Sequence, residues 1–217
     1  LPPFHSFGFS VVGLLPILSG IRVVFAPDPT DSFNLARIVQ RWNVTVACFA
    51  PSFLKGLLQA STPESLQTVR LLVTGAEKAP KELFEKANKL CSAKIIEGYG
   101  ITECSPILAI NRIEIYSVGV GQPLPDVEVC TIDPESLQLL PFGREGEICV
   151  RGTCVFHGYL GEQKSPFIQL NGNTWYRTGD LGYLDEKQRL ILSGRIKRFA
   201  KVGGEMVSLG GVEEVLA

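Results

Sequence analysis

The first half of the chain alternates short apolar runs with longer segments whose apolar residues recur at helical spacing. Glycine or proline separates most of these runs. This alternation predicts strand–helix–strand units, and near-continuous apolar strands are typical of a parallel sheet covered on both faces. Four helices are predicted. Three of them are Phe9–Leu18, Phe53–Ala60 and Lys81–Leu90, and the fourth begins at a cap, Asp31 or Ser32, and ends at Arg41. The predicted strands are Ile21–Ala26, Val44–Phe49, Val69–Val73 and Lys94–Glu97.

The pattern changes near Tyr116. From there to Gly194, short alternating runs are broken by turn residues, which is typical of an antiparallel, barrel-like or sandwich-like region. The strands predicted there are Val127–Ile132, Glu147–Arg151, Trp175–Thr178 and Arg189–Leu192. We therefore expect an α/β fold. A parallel sheet flanked by helices would occupy residues 1–115, a small antiparallel β-barrel-like subdomain residues 116–194, and the start of a small carboxy-terminal domain residues 195–217.

The uncharged stretch Ser6–Ile21 raises the question of a membrane span. It contains three glycines and a proline and stops at Arg22, whereas a spanning helix needs about 20 mostly apolar residues. We interpret it as a buried helix of a globular core. The first residues carry no basic leader, and the six cysteines include no Cys-x-x-Cys pair, so we expect a cytoplasmic protein without disulfides or a zinc site.

Composition excludes two further classes of protein. Hydrophobic residues make up 45% of the 217 residues and charged residues 20%, which is ordinary for a folded domain and excludes wholesale disorder. The 21 basic residues against 22 acidic ones leave a net charge of -1. Bulk electrostatics therefore gives no reason to expect binding to nucleic acid or to an anionic membrane.

The most informative motif is Glu97-Gly98-Tyr99-Gly100-Ile101-Thr102-Glu103, which follows a predicted strand. In open α/β sheets, ligands collect beyond the carboxyl ends of the strands. Glycines let the main chain approach a ligand, Tyr99 can stack on a base, Thr102 can bind a phosphate, and Glu103 offers Mg²⁺ a hard oxygen. A strand–turn with a tyrosine plug and a surface glutamate explains the same residues equally well.

Three further segments carry candidate ligands. Tyr176-Arg177-Thr178-Gly179-Asp180 places Asp180 in a glycine turn, where it could accept both hydroxyls of a ribose or satisfy its own backbone. The basic run from Arg195 to Lys201, followed by Gly203 and Gly204, suits a phosphate-facing loop or a hinge, or else a solvated face. Thr74-Gly75-Ala76-Glu77 ends another strand, where small residues could admit a flat ring or simply turn the chain.

The order and spacing of five motifs resemble the adenylate-forming superfamily of acyl-CoA synthetases, luciferases and peptide-synthetase adenylation domains. The motifs are LPPFHSFG, TGAEKAP, EGYGITE, YRTGDLGYLD and GRIKRFAKVGGEMVS. The stretch IKRFAKVGGEMVSLGGVEEVLA is also similar to the synthetase half of the 2-acylglycerophosphoethanolamine acyltransferase/acyl-acyl-carrier-protein synthetases.

The resemblance implies a role for each matching residue. The adenine would lie along Gly75, Ala76 and Glu77 and along Glu97, Gly98 and Gly100, with Tyr99 stacked on the base. Thr102 would meet the α-phosphate, Glu103 would bind Mg²⁺, and His5 would lie near the acyl carboxylate or serve only as a helix-entry residue. Asp180 and Arg195 would hold the ribose, with Leu192 beside the nucleotide. Lys197 would be a hinge, and Lys201, Gly203 and Gly204 would enter the site for thioester formation.

These roles imply a ligase that uses ATP, forms AMP and needs Mg²⁺. The expected substrates are a fatty acid and the thiol of acyl carrier protein, with coenzyme A as the alternative acceptor. The expected partners include no nucleic acid, and a membrane only through regions outside these residues, as for a parent protein associated with the inner membrane. A nucleotide-binding module without chemistry and a purely structural module are the remaining alternatives.

The sequence also departs from the family pattern. The glycine-rich loop that grips the β- and γ-phosphates would precede Leu1, and the catalytic lysine of adenylation would follow Ala217. Leu209 and Gly211 stand where the family commonly has proline and glutamate. We therefore expect these 217 residues alone to have little adenylation activity.

Overall fold

A computed structural model describes residues 1–111, 119–161, 165–196, 199–202 and 205–208. Contacts divide the chain into two compact units, Leu1–Ser117 and Val118–Ala217. The first unit combines a parallel-containing sheet with helices, and the second contains an antiparallel sheet. The predicted fold class is confirmed.

In the first unit, strands and helices alternate as the apolar pattern predicts. Three parallel neighbours form the centre of the sheet, and an antiparallel fourth strand follows them in the order β1-β2-β3-β4. The strands are β1 (Val46–Phe49), β2 (Leu71–Thr74), β3 (Lys94–Gly100) and β4 (Ile107–Ile110); the helices are α1 (Leu15–Ser19), α2 (Ser32–Arg41), α3 (Pro51–Ala60) and α4 (Lys81–Leu90). A π-helix, Gly8–Leu14, leads into α1, and 3₁₀ turns cover Glu64–Leu66 and Thr102–Cys104.

The helices begin and end where local chemistry dictates. Asp31 caps α2 by accepting a hydrogen bond from the Asn34 amide at 3.0 Å, and Pro51 opens α3 at a position that needs no N–H donor. Gly20 ends α1 in the left-handed conformation at φ 65°. Apolar faces of α3 and α4 pack on the sheet, and α2 packs against α3. Leu35, Leu54, Leu57, Leu72 and Leu83 are among the residues of their common buried core.

Two predictions for the amino-terminal segment are wrong. Ile21–Ala26 is not a strand, because in the described chain its backbone pairs with no neighbouring strand and apolar composition alone does not make a ladder. The helical stretch before it is not buried: Ile17 and Leu18 are 77% and 80% exposed. No described element covers that face.

The second unit is built on a long central strand. The sheet runs β10-β9-β7-β6 with antiparallel neighbours, and β8 also pairs with β9. The strands of this sheet are β6 (Val127–Ile132), β7 (Gly146–Gly152), β8 (Phe167–Leu170), β9 (Asn173–Leu184) and β10 (Leu190–Arg195). The short strand β5 (Gln122–Pro123) precedes them outside this sheet, and the hairpin of β11 (Phe199–Val202) and β12 (Glu205–Ser208) follows them. Asn171 and Gly172, both at positive φ, form the predicted turn between β8 and β9.

Two general features bear on the chemistry. All six cysteines are free thiols, and burial raises the pKa of Cys48 to about 11. Within the part of the chain that the structure describes, none of the helices has the length and hydropathy needed to cross a bilayer.

Candidate functional site

The carboxyl ends of β2 and β3 bring two of the predicted motifs together. Thr74 and Glu97 are the last register partners of the parallel pairing between β2 and β3. One residue further on, the main chains nearly touch: a Cβ added to Gly75 would lie 3.0 Å from the carbonyl oxygen of Gly98. Only a residue without a side chain fits comfortably at Gly75. The motifs around Gly75 and Gly98 therefore form one continuous backbone surface at the sheet edge.

Gly98 and Gly100 are two residues apart but face different surroundings. A Cβ on Gly100 would lie 1.7 Å from the carbonyl oxygen of Pro106, so glycine is required there for the approach of the chain itself. A Cβ on Gly98 would make ordinary contacts, the nearest at 3.4 Å from the Ala109 oxygen. Packing within the described chain therefore explains Gly100 but does not require glycine at position 98.

Glu97 holds the loop that follows β2. Its carboxylate accepts a hydrogen bond from the Ala79 amide at 3.0 Å. Burial raises the pKa of Glu97, while that hydrogen bond and the positive charge of Lys78 act in the opposite direction. Ala76, at φ 75°, and Glu77 lie exposed in the same loop. A partly buried carboxylate thus fixes the loop predicted to line the adenine.

Tyr99 does not lie in a turn. The sequence predicts that β3 ends at Glu97, but the strand continues to Gly100 because β4 pairs with this extension, with Tyr99 opposite Ala109. Only 7% of Tyr99 is exposed. The described chain therefore covers most of the surface that base stacking would use.

Thr102 meets the amino-terminal segment. Its hydroxyl lies 3.0 Å from the Ser6 hydroxyl, at the start of the 3₁₀ turn that also carries the half-buried Glu103. His5 lies next to Ser6, and its Nδ1 accepts a hydrogen bond from the Phe7 amide at 3.2 Å. That contact supports the helix-entry interpretation of His5. The motifs beginning at Leu1 and at Glu97 are thus joined through two hydroxyl groups.

Thr74 belongs to the segment Thr74–Glu77 that the sequence singles out, but the sequence assigned no role to its side chain. Its side chain is fully buried, and its hydroxyl has no hydrogen-bond partner among the described residues. Buried polar atoms are nearly always satisfied, so a lone hydroxyl at a ligand-type edge is a candidate for contact with water or with a bound molecule. The available signal was a threonine ending an otherwise apolar strand.

In the second unit, Asp180 and Arg195 form an ion pair. They are register partners on β9 and β10, and Arg195 Nε lies 2.8 Å from the Asp180 carboxylate. Asp180 is 4% exposed, whereas the Arg195 side chain is largely exposed. The prediction that Asp180 lies in a glycine turn is wrong, because β9 continues through it to Leu184. Leu192 lies half-buried on β10.

Asp180 lies in a β-bulge of strand β9. Glu147 and Cys149, two steps apart on β7, pair with Leu181 and Arg177, four steps apart on β9. The intervening segment, Thr178-Gly179-Asp180, forms a bulge in which Gly179 has φ 74°. The Thr178 hydroxyl donates to the Ile148 carbonyl at 2.9 Å, and the Asp180 amide donates to that hydroxyl at 3.1 Å.

An ion pair that the sequence did not reveal borders this bulge. Arg177 Nε donates to the Glu147 carboxylate at 2.9 Å, and a second guanidinium nitrogen contacts the same oxygen. Glu147 is 2% exposed. This hydrogen bond and the charge of Glu147 raise the pKa of Arg177 further. Arg177 stood in a motif singled out from the sequence, but nothing there indicated its partner.

Other predicted positions allow only limited description. Lys197, Gly203 and Gly204 lie outside the described residues, as do Tyr116, Leu209 and Gly211. Lys201 belongs to β11, of which only the strand is described. In the described chain, no group of three or more His, Cys, Asp or Glu side chains could hold a metal ion.

Comparison with known proteins gives consistent results. A family model described as AMP-binding enzyme matches residues 1–160. The chain is 29% identical to 4-coumarate–CoA ligase 1 of Petroselinum crispum over 225 residues and 30% identical to 4-coumarate–CoA ligase 2 of Nicotiana tabacum over 228 residues. Both alignments cover 100% of this chain and 41% of the relative, so the chain spans about two fifths of the length of these relatives.

Solved structures give the same result. The ATP-bound MatB of Rhodopseudomonas palustris superposes with a TM-score of 0.85 at 28% identity, over 99% of this chain and 42% of that one. The O-succinylbenzoate coenzyme A synthetase MenE of Bacillus subtilis, in complex with AMP, superposes with a TM-score of 0.84 at 27% identity, over 100% of this chain and 44% of that one.

Proposed function

Because this chain belongs to the AMP-binding enzyme family, we propose that it carries the nucleotide-binding residues of a ligase that joins a carboxylic acid to a thiol through an acyl-adenylate. One observation carries the proposal. At the carboxyl ends of β2 and β3, Gly75 and Gly98 bring two main chains into contact, while the α-carbon of Gly98 has room that internal packing does not need. A flat ring can approach such a backbone surface.

The sequence resemblance assigns nucleotide contacts to residues of each unit. The adenine lies along Gly75–Glu77 and Glu97–Gly100, and the small part of Tyr99 that the chain leaves uncovered supplies the aromatic contact. Asp180 accepts hydrogen bonds from the ribose hydroxyls, with Arg195 and Leu192 beside it. Asp180 suits this role because a buried carboxylate is a strong acceptor for two neighbouring hydroxyl donors. The ATP-bound and AMP-bound structural relatives support the choice of ligand.

The phosphate end of the nucleotide is assigned to Thr102 and Glu103. Mg²⁺ commonly binds through one or two carboxylates together with substrate phosphates, so a single partly buried glutamate fits it without a wholly protein cage. A bound Mg²⁺ would neutralise negative charge on the phosphates. Thr102 donates its hydroxyl to an α-phosphate oxygen, and Ser6, 3.0 Å away, orients that hydroxyl.

The proposed chemistry has two steps. A carboxylate oxygen of the acid forms a bond to the α-phosphorus of ATP. The bond between that phosphorus and the oxygen that it shares with the β-phosphate breaks, and pyrophosphate is released. The sulfur of a thiol then bonds to the acyl carbon, the thiol proton is lost, and AMP leaves. The proposed roles of Lys197 as a hinge and of Lys201, Gly203 and Gly204 in the second step follow from the sequence resemblance.

For the substrates, we propose a fatty acid and a phosphopantetheine thiol. The carboxy-terminal resemblance favours acyl carrier protein as the source of that thiol. The names of the two 4-coumarate–CoA ligases and of the O-succinylbenzoate coenzyme A synthetase favour coenzyme A as the second candidate. Thioester formation by the full-length protein with each acceptor in turn decides between them: a preference of at least tenfold in kcat/KM identifies the acceptor.

The reaction class is tested by exchange of labelled pyrophosphate into ATP. With the full-length protein, we expect exchange that depends on fatty acid, and 4-coumarate serves as a comparison acid. Glu103→Gln should lower the exchange rate by about 10²-fold, the usual loss when one group that stabilises transition-state charge is removed. Glu85→Gln, on the exposed face of α4, is the matched control and should leave the rate unchanged.

Two outcomes would contradict this function. AMP binding without acid-dependent exchange would favour a nucleotide-binding module that performs no chemistry. Absence of AMP binding would favour a purely structural role for both units.

A further inference from the structure

We propose that the Arg177–Glu147 ion pair is a positioning device that sets the geometry of the bulge carrying Asp180, and through it the affinity for the nucleotide ribose. The inference rests on the proposed role of Asp180. Neither Arg177 nor Glu147 is assigned any contact with the nucleotide. Their effect is exerted entirely through the backbone of β9.

The bulge needs an external constraint. Between Arg177 and Leu181, β9 carries two more residues than the facing part of β7. On the side that faces β7, the residues of the bulge lack regular ladder partners, whereas on the other side Asp180 pairs with Arg195 of β10. Gly179 adds freedom, because its left-handed φ of 74° is a conformation that glycine can readily leave. The β10 strand and Arg195 hold Asp180 on one side, so contacts from β7 are needed to hold the bulge on the other.

The ion pair spans the bulge from end to end. Arg177 stands at the amino-terminal end of the bulge on β9, and Glu147 faces Leu181 at the carboxy-terminal end on β7. The guanidinium therefore reaches diagonally across the irregular segment to a fixed point on the neighbouring strand. The Thr178 hydroxyl makes a second link, to Ile148 in the middle. Together these contacts fix the length and the tilt of the bulge.

The chemistry of the Arg177–Glu147 pair is better suited to holding the backbone of β9 in one orientation than to stabilising the fold. A buried ion pair contributes little net stability, because desolvation offsets the attraction, yet removing one partner leaves an unpaired buried charge. Arginine donates from a rigid planar fork, which fixes direction as well as distance. Lysine keeps the charge but lacks the fork. The arrangement is expected where a neighbouring backbone must be held in one conformation.

The test compares AMP with 2′,3′-dideoxy-AMP, which lacks the hydroxyls proposed to contact Asp180. Calorimetric titration of the full-length protein should show AMP binding about tenfold more tightly than the dideoxy analogue. Asp180→Ala should remove that preference. Arg177→Met should lower the affinity for AMP at least fivefold and leave the affinity for dideoxy-AMP within twofold. Arg177→Lys should restore part of the preference.

Two variants separate positioning from stability. Arg151→Met breaks a similar cross-strand arginine–glutamate pair, between β7 and β6, and should leave both affinities unchanged. Arg177→Met combined with Glu147→Leu leaves no lone buried charge, and it replaces Arg177→Met if that variant does not fold. The double variant should also lose the preference for AMP.

The outcomes distinguish the two levels of the proposal. No binding of AMP, or a preference that survives Asp180→Ala, would overturn the proposed role of Asp180. Loss of preference in Asp180→Ala together with full preference in Arg177→Met and the double variant would overturn the positioning role alone. An equal fall in affinity for both ligands on removing the ion pair would reduce the pair to a structural role and also overturn the inference.

Discussion

The two regions that carry candidate ligands are built in opposite ways. In the first unit, the ends of β2 and β3 present main chain, and their key positions are glycines that leave space. In the second unit, β9 presents a buried carboxylate in mid-strand, held by a bulge and by ion pairs. The first region depends on glycines, which have no side chain, and the second depends on charged side chains. Adding a methyl group should therefore probe the first, and removing a charge should probe the second.

The largest effect is expected from Gly100→Ala. Its Cβ would lie 1.7 Å from the Pro106 carbonyl oxygen and 2.8 Å from the Ile107 α-carbon, both backbone atoms that cannot rotate away. Strand β4 would have to move, and overpacking of this kind costs about 3 kcal/mol. Chemical denaturation monitored by circular dichroism measures the free energy of unfolding. A loss below about 1 kcal/mol would mean that β4 yields easily and that position 100 is not a packing constraint.

A smaller effect, of a different kind, is expected from Gly98→Ala. Because the added methyl group meets only ordinary contacts, with the nearest atom at 3.4 Å, the free energy of unfolding should change by less than about 1 kcal/mol. The affinity for AMP should nevertheless fall by about tenfold, since the methyl group would occupy space assigned to the base. Titration with AMP and denaturation of the same preparation give both numbers.

Gly98→Ala and Gly100→Ala are each other's control, because they add the same group two residues apart on one strand. If Gly98→Ala keeps full affinity for AMP, the first region is not a nucleotide surface and the contrast between the two regions disappears.

The smallest effect concerns the pH dependence of stability through Glu97. Because burial raises its pKa in the folded protein, the folded state holds that proton more tightly than the unfolded state. Below the usual glutamate pKa this carboxyl imposes no penalty. As pH rises from there through the raised pKa, stability declines by about 1.4 kcal/mol for each unit of the shift. Glu97→Gln should remove that decline.

Denaturation curves between about pH 4 and pH 8 check this expectation. The variant and the parent should be closest in stability at the acid end, and the variant should be the more stable at the neutral end. A variant that is less stable at neutral pH would show that the Ala79 hydrogen bond to the ionised carboxylate outweighs the cost of burial.

Local chemistry was sufficient to predict much of the fold. Helix Lys81–Leu90 and strand Val127–Ile132 have the predicted limits, since proline, apolar spacing and turn residues mark them directly. Ile21–Ala26 failed because a strand needs a partner, and composition does not supply one. For the same reason, the extension of β3 through Tyr99 could not be anticipated: it depends on β4 arriving alongside.

For the candidate site, residue types could be predicted from the sequence, but the secondary structure and the partners of these residues could not. The sequence indicated Asp180 and Arg195, which the structure pairs. It placed Asp180 in a turn, because a bulge within a long strand and a tight turn both call for glycine at positive φ. The Arg177–Glu147 contact depends on strand register across 30 residues, and the isolated hydroxyl of Thr74 depends on burial. Neither can be read from neighbours in sequence.

The pairing of strand β9 also affects how the second unit unfolds. Its twelve residues pair with β7, β8 and β10, so its middle cannot fray alone, as a terminus or a loop does. Tyr176, Leu181 and Gly182 each pair with a strand on both sides. Local opening at these residues has to release two ladders at once, so their amide protons should exchange with solvent slowly. Asp180, which pairs only with β10, thus lies between two stretches of β9 that are paired on both sides.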